Sequence, residues 1–235
     1  MTQLSENQFT VVIKKDCPTC EMIEPVLAEL TATYPGKVTI YVQDDPSFPQ
    51  SIENKIDDTS LEFSYRNNIE IVPTLICSTE SKESARTYGW DKTEWQRLTN
   101  LASLGESLDS FKPGCGSKTL EPGMEEQLIA RFDDELLSSR SVELADLEDD
   151  VEGCYERGWS DGLPVIPPTR VRVIRMLKGT DRSPGEIIGN IPPDNAPCTI
   201  EKVAINAVLA GCKPEYFPIV LASIQAALQD KFCMH

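Results

Sequence analysis

The stretch Phe9-Thr10-Val11-Val12-Ile13-Lys14-Lys15-Asp16-Cys17-Pro18-Thr19-Cys20 decides how the first half of this 235-residue chain is read. Phe9 to Ile13 is a short β-rich run and predicts a buried strand. After the two lysines and Asp16 comes a Cys-x-x-Cys pair. It opens a segment, Glu21 to Tyr34, in which Met22, Ile23, Val26, Leu27 and Leu30 recur at helical spacing. Pro35-Gly36 stops that helix. A cysteine at a helix N-terminus faces unpaired N–H groups and the positive end of the dipole, and both favour thiolate over thiol. Cys20 lies one turn further on, near enough to close a small disulfide ring. Cys17 therefore reads as a nucleophile toward an external disulfide, and Cys20 as the thiol that resolves the mixed intermediate. Lys14 and Lys15 would lower the Cys17 pKa further, and Asp16 would oppose them.

Moving outward, Val38 to Val42 reads as the next strand, and 44–58, with Pro46 and Pro49, as a loop. A short helix over 61–67, a strand over 69–77 carrying Pro73, a strand over 84–88 and a helix over 91–104 follow. The order β-α-β-α-β-β-α over about 100 residues fits one small α/β domain. Residues 1–105 are taken as that domain.

Composition narrows the function. The chain carries 22 basic and 38 acidic residues, a net charge of −16, which argues against wrapping nucleic acid or docking on anionic lipid. No apolar stretch approaches the ~20 residues of a membrane helix. The polar start, Met1 to Gln8, lacks a secretory signature, so a cytoplasmic location is expected. The single histidine, His235, excludes Ser-His-Asp and Cys-His catalysis and multi-His metal sites. Eight cysteines leave sulfur as the reactive element. A Cys-x-x-Cys pair can be half a zinc site, but Cys77, Cys115, Cys154, Cys198, Cys212 and Cys233 are single. No second pair completes four ligands, so no metal is expected.

Strand, then Cys17-Pro18-Thr19-Cys20 opening a helix, then Ile71-Val72-Pro73-Thr74 some fifty residues on, resembles the thioredoxin and glutaredoxin superfamily over residues 7–104. The resemblance implies a thioredoxin-like α/β fold with Cys17 as nucleophile and Cys20 as resolving thiol. It also implies that Pro73 is a cis proline which, flanked by Val72 and Thr74, faces the dithiol and positions the substrate chain. Thioredoxins proper usually carry a tryptophan just before the first cysteine and a buried acid six residues before it. Here those positions are Asp16 and Val11, so the domain is closer to a minimal glutaredoxin-like core. No cofactor is implied.

Residues 106–150 hold 4 basic and 13 acidic residues and read as an acidic connector, with a short helix over Met124 to Phe132. Within it, Pro113-Gly114-Cys115-Gly116-Ser117-Lys118 places a cysteine between glycines, which let a backbone approach a ligand or another chain closely. Cys115 is a candidate second thiol, either reduced by the Cys17–Cys20 pair or a nucleophile itself. The alternative is a loop cysteine without a role.

Residues 151–235 read as a mainly α-helical second domain. Short helices are expected over 151–158, from Thr169 to about Lys178, over 199–210 and over 216–228, with Pro-rich loops at 158–168 and 189–197. Trp159, Ser160 and Asp161 head the first loop and are candidates to line a pocket. The last helix is apolar all round, which implies burial in a bundle or against a partner subunit through 216–232. The blocks Glu156 to Thr169 and Asn190 to Pro218 resemble a domain joined to thioredoxin-like domains in bacterial proteins associated with the UGSC-motif selenoprotein group. Cys115-Gly116-Ser117 matches three positions of that motif with cysteine for selenocysteine, and Lys118 stands where a cysteine would be. That resemblance implies redox or soft-nucleophile chemistry.

The expected function is a thiol-disulfide oxidoreductase acting on a disulfide-bearing protein or small thiol, with a helical domain that binds substrate or partner. Two alternatives are an assembly module with incidental thiols and an enzyme on a small thiophilic substrate whose Cys115 is recycled by the Cys17–Cys20 pair.

Overall fold

The computed structural model describes residues 7–80, 82–145 and 147–233, and His235 lies outside them. The chain divides into two compact units, Met1–Leu128 and Ile129–His235. Among the described residues no helix is long and apolar enough to cross a membrane.

The first unit begins with β1 (Asn7–Ile13), α1 (Pro18–Met22), α2 (Glu24–Thr33), β2 (Val38–Val42) and β3 (Lys55–Asp57). Then come α3 (Glu62–Arg66), β4 (Ile71–Val72), β5 (Thr74–Thr79), β6 (Lys82–Tyr88), β7 (Trp90–Asp91) and α4 (Lys92–Thr99). Two short strands, β8 (Phe111–Lys112) and β9 (Cys115–Gly116), precede α5 (Met124–Phe132), within which the division falls. Five strands form one sheet in the order β3-β2-β1-β5-β6. β1 is central, parallel to β2 and antiparallel to β5. Phe9, Val11, Val12 and Ile13 are all buried, as a strand covered on both faces requires. Val26, Leu27 and Leu30 of α2 pack into the same core. So do Trp90 and Trp95, whose rings meet at 5.4 Å between centroids.

Four sequence expectations change here, each for a backbone reason. The helix expected over 21–34 is two helices broken at Ile23, because Pro25 has no N–H to continue the ladder. The loop expected over 44–58 contains β3, which pairs parallel with β2 but is too short for an alternating pattern. The strand expected over 69–77 is interrupted at Pro73, so β4 leaves the main sheet and pairs antiparallel with β9. The helix expected to reach 104 ends at Thr99, capped by Asn100 in the left-handed region at φ 56°. Residues 106–128, composed like a connector, belong to the first unit.

The second unit contains α6 (Asp150–Glu156), α7 (Arg170–Leu177), β10 (Ile187–Ile191), β11 (Ala196–Thr199), α8 (Ile200–Leu209) and α9 (Phe217–Ala227). Asp149, Thr169 and Thr199 cap α6, α7 and α8 through their side-chain oxygens. Its core joins Val173, Met176, Ile200, Ala204, Phe217 and Leu221. The unit mixes helices and strands, which corrects the expectation of a mainly helical domain. Residues 189–197, expected as a loop, form most of an antiparallel hairpin whose turn holds Pro192, Pro193 and Asn195. Those residues punctuate the turn and mask the short flanking strands. Within the unit, the buried Glu201 carboxylate accepts hydrogen bonds from Ser138 N (3.0 Å), Ser138 Oγ (2.7 Å) and Ser139 N (2.8 Å). Those bonds keep it ionised below the usual carboxylate range, against the opposing effect of burial.

Candidate active site: three thiols beside a cis proline

Cys17 is the residue that precedes α1, in extended backbone, and its carbonyl accepts the Glu21 N–H at 3.0 Å. Asp44 shapes the approach by accepting the Lys15 and Asp16 N–H groups at 2.8 and 2.9 Å. Cys20 is fully buried one turn on. The Val72–Pro73 peptide bond is cis, and Val72 O lies 3.6 Å from Cys17 Sγ. Thr74 begins β5, and its hydroxyl donates to Ile71 O at 2.6 Å, closing the turn around Pro73. The motif residues Cys17, Cys20, Val72, Pro73 and Thr74 are thus brought to one end of the central sheet.

Cys115 joins them. Its Sγ is 2.7 Å from Cys17 Sγ, and Cys115 stands opposite Val72 in the β4–β9 pair. The chain around it is tied down on every side. Thr19 Oγ1 donates to Pro113 O (2.7 Å), Lys112 Nζ to Pro18 O (3.1 Å) and Lys14 Nζ to Gly116 O (2.9 Å). Ser117 N donates to Glu70 O at 2.8 Å. Buried Gln43 donates to Ser64 Oγ and Ser117 Oγ and accepts from Lys118 N. Glycine makes the approach possible: a Cβ on Gly114 would lie 2.4 Å from Ile71 Cγ2 and 2.8 Å from Val72 O. One on Gly89, at φ +67°, would lie 2.7 Å from Gly114 N.

The electrostatics separate the sulfurs. The Cys17 thiol is lowered from 9.0 to about 5, chiefly by the hydrogen bond from Cys20. The Cys115 thiol and the backbone N–H groups of Cys20 and Thr19 add to this, and burial opposes it. The helix-end amides named from sequence contribute, but neighbouring sulfur is the larger cause. Burial, then the bond to Cys17, push Cys20 far up and hold it as a thiol. Cys115 is raised by burial and by its bond to Cys17. The lysines bond away from Cys17: Lys14 donates to Gly116 O and its charge partly offsets the rise at Cys115, and Lys15 pairs with Asp45 at 2.6 Å. Of the pair Cys17–Cys115, Cys17 is thus the sulfur that ionises first, at about pH 5.

The remaining candidates lie in the second unit. Trp159 lines a cavity of about 650 Å³ together with Cys154, Val173, Ile205 and Asn206. Ser160 and Asp161 do not line it: Ser160 Oγ donates to Leu163 O (2.6 Å) and Asp161 accepts from Leu163 N (3.3 Å), bonds that fix a turn. Burial raises the thiols of Cys77, Cys154 and Cys198, which behave as packed groups. Among the described residues no cluster of three or more His, Cys, Asp or Glu is fit to hold a metal ion. Sequence reasoning missed Gln43, Gly89 and the strand pairing of Cys115; the glycines at 114 and 116 were the one visible signal of the latter.

Fold and site together define an α/β unit with a dithiol at the end of its central strand and a third thiol held against it. The chain is similar in part to solved thioredoxin structures. The reduced thioredoxin pre-protein of Schistosoma mansoni is 18% identical over 40% of this chain and 77% of its own, with a TM-score of 0.31. The germline-specific thioredoxin Deadhead of Drosophila melanogaster is 15% identical over 40% and 79%, at 0.30. Oxidised mitochondrial thioredoxin 3 of Saccharomyces cerevisiae is 17% identical over 42% and 82%, at 0.31. No protein-family model matches the chain. No curated protein matches it.

Proposed function

We propose that the first unit is a thiol-disulfide oxidoreductase of glutaredoxin-like kind, whose substrates are disulfide-bearing proteins or small thiols. The observation that carries this is the placement of Cys17 at the head of α1, with Cys20 fully buried one turn on and the cis Val72–Pro73 bond beside them; the lowered Cys17 thiol and raised Cys20 thiol accord with it. Only the thiolate attacks a disulfide, and a protonated thiol alongside supplies the second sulfur. Cys17 attacks a disulfide sulfur and expels one thiolate. Cys20 loses its proton, attacks Cys17 Sγ, expels the second thiolate and leaves a Cys17–Cys20 disulfide. An external thiol or dithiol reduces that bond again. In this reading Pro73 and its neighbours set the wall of the site against which the reacting sulfur is aligned. A Cys20→Ser variant oxidised with a small disulfide should hold Cys17 in a disulfide that persists through non-reducing peptide mapping, whereas the wild type resolves to Cys17–Cys20. A Cys17 that stays open to alkylation throughout in both proteins would refute the proposal.

The second unit is read as the part that binds substrate or a partner subunit. What favours this is α9, where Phe217 and Leu221 are buried while Ile219 is 68% exposed, and the residues flanking the helix, where Tyr216 and Phe232 are uncovered. Association through this face predicts that Ile219→Asp lowers the sedimenting mass of an associated wild type without changing its helical circular dichroism. A monomeric wild type at working concentration would sink self-association and leave only the substrate-binding half of this reading.

A further inference from the structure

Access to the three sulfurs differs. Cys17 is 2% exposed and Cys20 is fully buried, whereas Cys115 is partly open to solvent. An external disulfide must bring a sulfur into bonding contact with the attacking thiolate, so access as well as pKa governs which thiol reacts. Cys115 Sγ sits over Cys17 at 2.7 Å, and the backbone edge beside Cys17 is already filled by β9. Ties from Lys14, Thr19, Glu70 and Lys112 hold that strand in place. The sulfur best made to react is therefore covered, and the residue covering it is the more open to solvent of the two.

We infer that Cys115 is the thiol that meets an external disulfide, and that the Cys17–Cys20 pair serves as its internal reductant through a transient Cys17–Cys115 disulfide. This rests on the oxidoreductase reading and names the acceptor of Cys17 within it. The Cys115 proton passes to the Cys17 thiolate as Cys115 Sγ attacks the external disulfide; a mixed disulfide forms between Cys115 and one half of the substrate, the external sulfur–sulfur bond breaks, and the other half leaves as a thiolate. Cys17 then releases that proton to the departing thiolate and attacks Cys115 Sγ, expelling the second thiolate. Cys20 loses its proton to solvent and attacks Cys17 Sγ, leaving Cys17–Cys20 as the disulfide and Cys115 as a thiolate that is reprotonated. The external disulfide gains two electrons and the Cys17–Cys20 pair loses them. The substrate class is a compact, solvent-reachable disulfide, since an extended chain has no free strand edge at β4.

The test uses the full chain and dithiobis(nitrobenzoate), an aryl disulfide whose released thiolate is coloured. In a background with Cys212→Ser and Cys233→Ser, which removes the other accessible thiols, the protein should release two aryl thiolates as Cys17–Cys20 forms, and Cys115→Ser should slow formation of that disulfide by about tenfold or more. Cys17→Ser should keep an aryl group on Cys115, and Cys20→Ser should stop at a Cys17–Cys115 disulfide in the peptide map. Formation of Cys17–Cys20 at wild-type speed in Cys115→Ser overturns the inference and leaves the oxidoreductase reading standing. An aryl group that remains on Cys17 in Cys20→Ser, with Cys115 free, does the same. A wild type that forms no Cys17–Cys20 disulfide removes both.

Discussion

Replacing Cys17 with serine should lower the rate of complete reduction of a small disulfide by about a thousandfold or more, because the sulfur that passes the reaction from Cys115 to Cys20 disappears. The same variant should erase the thiolate absorbance that appears in the wild type as pH rises through about 5. The sign follows from a pKa lowered from 9.0: the wild-type site is protonated and inactive below the transition and holds its full charge above it. Exchange should therefore be nearly flat between about pH 6 and 8, where an ordinary thiol gains about tenfold per unit. A tenfold rise per unit in the wild type, or an absorbance step near 9 that survives the substitution, would show that Cys17 is an unperturbed thiol.

The second large effect concerns stability. Trp95 is fully buried and donates from its indole nitrogen to Gly89 O at 3.0 Å. Trp95→Ala removes a large core side chain and orphans that carbonyl, so a loss of ~3–5 kcal/mol is expected for the first unit. Trp95→Phe keeps most of the ring volume and loses the donor, for ~1–3 kcal/mol. Denaturant unfolding followed by the fluorescence of buried Trp90 reads both. A loss below ~1 kcal/mol in the alanine variant would mean that Trp95 is replaceable in the core. Gly89 lies against Gly114, so the alanine variant should also loosen the seat of Cys115 and slow its exchange with Cys17.

The first unit was legible because its signals are local. Phe9 to Ile13 declares a strand by composition, Met22 to Leu30 a helix by period, and Cys17-Pro18-Thr19-Cys20 a reactive corner by chemistry. What escaped were pairings between distant segments. β3 pairs over only three residues, and β9 over two, so neither shows a periodicity of its own. Charge drew a boundary at residue 105, yet residues 106–128 pack with the first unit: acidic side chains describe the solvent face of a segment, not what its backbone meets. In the second unit the prolines at 192 and 193 declared a loop where they mark a turn, and the all-round apolar helix near the end buries Phe217 and Leu221 but leaves Ile219 exposed. The site followed the same rule. Cys17 and Cys20 are three residues apart, whereas Cys115 reaches them across 98 residues through a backbone contact that only glycine permits.

That meeting of Gly89 and Gly114 has a further result. The depth at which the third sulfur rests is fixed by missing side-chain atoms, a steric limit that neither added salt nor moderate acidity relaxes. Ionic strength should therefore leave the internal transfer between sulfurs almost untouched, and the state of oxidation remains as the lever that turns it.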